Sequence, residues 1–61
     1  MWIISKSCGL FNVRTISRIF EDGDYTCASN LGGSSTVVSH SRVLDKITEA
    51  IKRGYPFLEV E

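Results

Sequence analysis

The sequence predicts a small α+β domain: an antiparallel sheet of order β-β-β-β-α-β with one helix packed on one face. Three observations predict it. Short runs rich in aromatic and β-branched residues occupy both ends of the chain, glycine-bearing polar clusters separate them, and one stretch near the C-terminus carries its apolar residues at helical spacing.

The first strand is read over Trp2 to Lys6, ended by a turn at Ser7-Cys8-Gly9. From Leu10 the apolar positions Phe11 and Val13 alternate. The phase then slips, because Ile16 and Phe20 share one parity and Ile19 the other, so a bulge or short irregular segment near Arg14-Thr15 must reset the register. Glu21-Asp22-Gly23-Asp24 is a second turn, with Gly23 free to take a positive φ. Tyr25 to Ala28 forms the next strand, with Tyr25 and Cys27 on one face, and Thr36-Val37-Val38 resumes extended structure after the Ser29 to Ser35 loop.

A helix is expected from near Ser41 to Arg53. Val43, Leu44, Ile47, Ala50 and Ile51 gather there into one stripe to be buried, Ser41 or Ser39 serves as N-cap, and Gly54 ends the helix in the left-handed conformation. Glu49 and Arg53 form an i, i+4 pair, and Lys52 and Arg53 suit the negative end of the helix dipole. Tyr55-Pro56 then restarts an extended chain. Leu58 and Val60 alternate with Glu59 and Glu61, and the proline and the acidic residues place this last strand at a sheet edge or at a subunit boundary.

One domain spans residues 1–61, without an internal repeat or linker. A chain this short buries only about 60% of the surface its unfolded form exposes, so a second subunit is the expected reinforcement. Two cysteines are too few for a disulfide framework, no signal peptide pattern precedes them, and the apolar start stops at Ser5-Lys6, so a cytoplasmic protein with no membrane segment is expected. Seven basic and seven acidic residues cancel, which removes the field that drives phosphate-backbone binding and disfavours nucleic acid.

Cys8, Cys27 and His40 fall short of a structural zinc ligand set, so no metal or cofactor is expected. A Cys/His or Ser/His pair drawn from them lacks an orienting group, an oxyanion donor and a pocket, so no catalytic residue is assigned. Gly32-Gly33-Ser34-Ser35-Thr36 carries amides and hydroxyls of the kind that cradle phosphate. It has no Gly-Lys-Ser/Thr ending and leads into a strand, so a plain hairpin loop is favoured, with a sponge for a signalling nucleotide, aided by Arg14 or Arg18, as the alternative. Arg14, Arg18, Arg42, Lys46, Lys52 and Arg53 could pool into a basic patch with aromatics to stack on bases, but acidic residues are interspersed among them. The aromatics Trp2, Phe11, Tyr25, Tyr55 and Phe57 are the expected homodimer or partner interface, because a small monomer cannot bury them all.

The opening Met1-Trp2-Ile3-Ile4-Ser5, the Asn12-Val13 step, and the stretch from Val43-Leu44-Asp45-Lys46-Ile47 to Gly54-Tyr55-Pro56-Phe57 resemble small proteins of Firmicutes and their phages. In that group a Trp-Ile strand, a Gly-containing strand pair, a Ser-capped helix bearing Val-Leu-Asp and a short terminal strand recur in this order. The segment from Asn30 to Thr36 departs from the pattern. Short phage proteins of this look include the Hachiman anti-defence proteins. The resemblance therefore implies an inhibitor that binds a bacterial host defence protein and performs no chemistry.

Overall fold

A computed structural model describes all of residues 1–61, and its architecture is α+β. Strands β1 (Trp2–Ser5), β2 (Gly9–Asn12), β3 (Ile16–Asp22), β4 (Tyr25–Asn30) and β5 (Ser35–Ser39) precede helix α1 (Leu44–Arg53), and β6 (Phe57–Val60) follows it. The expected single antiparallel sheet divides into two, of order β2-β1-β6 and β3-β4-β5. The division lies where the apolar phase slips. Val13–Thr15 forms a turn of 3-10 helix, started by Asn12, whose Oδ1 accepts the Arg14 N–H at 3.1 Å while its carbonyl accepts from Thr15 Oγ1 at 2.8 Å. An asparagine that engages its own downstream backbone competes with the sheet ladder, so the strand breaks there.

β6 occupies a sheet edge, as its proline suggests, but it runs parallel to β1, pairing Trp2 with Phe57 and Ser5 with Val60. The α1 crossover makes this possible, since parallel neighbours need a long connection of that kind. Pro56 has no N–H to give, and its carbonyl accepts the Trp2 N–H at 3.0 Å.

The inner faces of the two sheets and the helix meet in a core of Ile3, Ala28, Val38, Val43, Ile47 and Val60. Gly54 ends α1 at φ 73°, Gly23 turns β3 into β4 at φ 61°, and the Glu49 to Arg53 pair forms at 3.4 Å. The helix begins later than the serines indicate. Its N-cap position is Val43, and Ser41 caps nothing. Thr26, fully buried on β4, serves instead: its Oγ1 donates to the Ser41 carbonyl at 2.8 Å and accepts the Val43 N–H at 2.9 Å. The helix entry is thereby anchored to the middle of the second sheet by a side chain remote in sequence. The apolar stripe is also narrower than its spacing implies, for Val43, Ile47 and Ala50 are buried while Ile51 remains half exposed. No helix is long and apolar enough to cross a membrane.

Candidate functional site

Alternation along β1 sends Ile3 and Ser5 into the interior and Trp2 and Ile4 outward. Because directly paired residues share a face, the register places Leu10 and Asn12 of β2 and Phe57 and Glu59 of β6 beside them. The outer face of the β2-β1-β6 sheet thus presents four large apolar side chains, Trp2, Ile4, Leu10 and Phe57, exposed by 45%, 38%, 62% and 55%. Glu59 is the one charged residue among these positions. Three strands of four residues span about 14 Å by about 13 Å at ordinary strand spacing and rise. That is the size of an interface centre and less than the roughly 800 Å² per partner of a standard interface, so a rim of polar residues must complete it.

The outer face of the β3-β4-β5 sheet is built differently. Phe20, Cys27 and Val37 are mutually paired across it, and the Arg18 guanidinium lies 4.7 Å from the centre of the Phe20 ring. Cys27 is buried there, outside the main core cluster. Its thiol pKa is pushed up, first by burial and then by the nearby Asp22 carboxylate. On this face Phe20 and Val37 are half-buried and Tyr25 is the one exposed large apolar side chain, against four on the first sheet.

The five aromatics expected at an interface do not form one group. Trp2 and Phe57 are cross-strand neighbours on the exposed face. Tyr55 is also exposed but borders a shallow hollow with Ala50, Arg53 and Leu58 on the helix side. Tyr25 stands on the second sheet, its ring edge-on to His40 with centroids 5.4 Å apart. Phe11 faces inward opposite Ile3 and packs partly buried against the core. Ile4 and Leu10, overlooked in the sequence, complete the patch. Their signal was the parity of Trp2 and Ile4 against Ile3 and Ser5, which assigns a strand face to each residue once the turn at Gly9 fixes the hairpin.

The Gly32 to Thr36 segment is a turn that satisfies itself. Asn30 Oδ1 accepts the Gly32 N–H at 2.9 Å and the Ser34 N–H at 3.1 Å, and the Asn30 carbonyl accepts the Gly33 N–H at 3.0 Å. Ser35 and Thr36 belong to β5, where they pair with Ser29 and Ala28. The three loop amides that would hold a phosphate are thus occupied by an asparagine of the same chain. A depression of about 350 Å³ near the helix entry is lined by Lys6, Arg42 and Lys46 together with Glu59 and Glu61, a mixed charge set that selects no sign. Arg42 is already engaged there by both carboxylate oxygens of Glu21, at 3.2 and 3.4 Å. No group of three or more His, Cys, Asp or Glu side chains is arranged to hold a metal ion.

No family model matches the chain, and no curated protein or solved structure matches it.

Proposed function

We propose that this chain is a small non-enzymatic binding protein, working by covering part of another protein with the outer face of its β2-β1-β6 sheet. The observation that carries this reading is the contiguous exposure of Trp2, Ile4, Leu10 and Phe57, in contrast to the Arg18-covered face of the other sheet. Tryptophan and phenylalanine surrounded by aliphatic side chains are what interface centres are made of, and apolar area left in water is stabilised by any partner that removes it.

The resemblance to small phage proteins makes a bacterial host defence protein the target to test, in the cytoplasm of the host. A tagged chain is used as bait in a bacterial lysate beside the Leu10→Lys/Phe57→Glu double variant. Capture of a specific protein by the first and not the second supports the reading. Equal capture by both, or no specific capture, contradicts it.

The same face suits a second copy, because an apolar patch with little charge is complementary to itself and a two-fold pair needs only that. Light scattering across a dilution series tests the homodimer. A mass that halves on dilution for the wild type, and stays at the monomer value for the double variant, supports pairing through this face. A monomer at every concentration leaves the face to the target alone.

A further inference from the structure

We infer that Cys8 is a thiol activated for reaction with disulfides, with His40 as the base that takes its proton. The two residues are 32 positions apart, yet Cys8 Sγ lies 3.9 Å from His40 Nε2 and 3.4 Å from Ser7 Oγ. Cys8 is half-buried in the turn between β1 and β2, so the sulfur is held in place and still reached by solvent. The exposed His40 ring also packs against the Tyr25 ring, the two centroids 5.4 Å apart and the planes 63° from parallel.

The backbone around the pair is organised by one oxygen atom. Ser5 Oγ accepts the Cys8 N–H at 3.2 Å and donates to the Glu61 main-chain oxygen at 3.3 Å. Ser39 Oγ donates to that same Glu61 oxygen and accepts the Ser41 N–H at 3.1 Å. Ser5 and Ser39 are both buried. The turn that carries Cys8 and the segment that carries His40 therefore hang from a shared anchor, which sets the spacing of thiol and imidazole.

The thiolate is the nucleophile in thiol chemistry, so a base at hydrogen-bonding reach accelerates attack. With a small disulfide, the Cys8 proton passes to His40 Nε2, in the tautomer with Nδ1 protonated. The Cys8 sulfur attacks one sulfur of the reagent, forming a mixed disulfide as the original S–S bond breaks. The departing thiolate takes the proton back from the imidazolium, so one disulfide and one thiol are exchanged for another of each. Cys27 is the internal comparison, since it is buried beneath its sheet neighbours and has no imidazole partner.

The test is the rate of reaction of the full chain with dithiodipyridine at neutral pH, the modified cysteine being located by mass spectrometry. A blocked peptide spanning residues 5–11 supplies the rate of an unassisted thiol of the same local sequence. Cys8 in the folded chain is expected to react about threefold faster than the peptide or more, Cys27 to stay unmodified, and His40→Gln to return Cys8 to the peptide's rate or below it. A folded-chain rate equal to or slower than the peptide's overturns the inference without any variant. An unchanged rate in a folded His40→Gln protein overturns it as well.

Discussion

Replacing Thr26 by valine keeps the shape of the side chain and removes one hydroxyl. In the native chain that hydroxyl gives its proton to the Ser41 carbonyl and receives the Val43 N–H, and Thr26 is fully buried. The Val43 N–H would then lie in the interior without a partner, at about 1–3 kcal/mol. The Ser41 carbonyl is partly accessible and recovers some of its loss from water, so the total comes to about 2–3 kcal/mol. A chain of 61 residues has roughly 3–9 kcal/mol of stability in all, so the loss is a large share of it. With a urea m-value of about 1 kcal/mol per molar at this size, the midpoint falls by about 2–3 M. Thr26→Ser keeps both hydrogen bonds and loses one methyl, about 1 kcal/mol. Urea melts of the three proteins at one concentration decide the matter. The reasoning is refuted if the valine variant lies within about 0.5 kcal/mol of wild type, or if the serine variant is the less stable of the two.

Two further predictions concern the second sheet and its loop. An unfolded thiol ionises near pH 8.5, whereas burial and Asp22 push Cys27 higher in the fold. In that window the native chain keeps a proton that the unfolded chain releases. The contribution of Cys27 is therefore complete below about pH 8 and declines as pH rises, by up to about 1.4 kcal/mol per pH unit. Urea melts at pH 7.5 and pH 10 should show a steeper decline for wild type than for Cys27→Ala; parallel declines would contradict the assignment. Calorimetric titration with a panel of nucleotides should give no heat, because Asn30 fills the amide cradle at Gly32 to Ser34. Saturable heat that disappears in an Arg14→Ala or Arg18→Ala variant would restore the nucleotide reading.

Local signals carried the fold furthest where one residue type has few alternatives. Gly23 and Gly54 sit at the positive φ that their turns require, and the phase slip after Val13 corresponds to the short 3-10 turn that separates β2 from β3. The direction of β6 was not legible, because alternation at Leu58 and Val60 is the same for a parallel and an antiparallel neighbour. The helix cap was misplaced for a related reason. Ser39 and Ser41 are good caps by type, but the bond that forms comes from Thr26, which sequence distance hides. Parity held a clue, since Tyr25 and Cys27 lie on the outer face and Thr26 must point inward between them. A hydroxyl sent into a core needs partners, and the helix entry supplies them.

The candidate site was half visible on the same grounds. Trp2 and Phe57 stand out by residue type, and their pairing across β1 and β6 depends on the parallel register. Phe11 looks equivalent by type, but its strand parity turns it inward toward Ile3. The approach of His40 to Cys8 requires both sheets and the shared Glu61 oxygen, and no spacing in the sequence announces it.

Trp2 is the only tryptophan in the chain and lies on the exposed sheet face, so its fluorescence reports on that surface alone. Acrylamide quenching of Trp2 should be strong in the dilute free protein. It should fall, with a blue-shifted emission, when the chain associates with its target or its twin. Trp2 emission and quenching that stay unchanged in a fully formed complex would place the binding surface elsewhere.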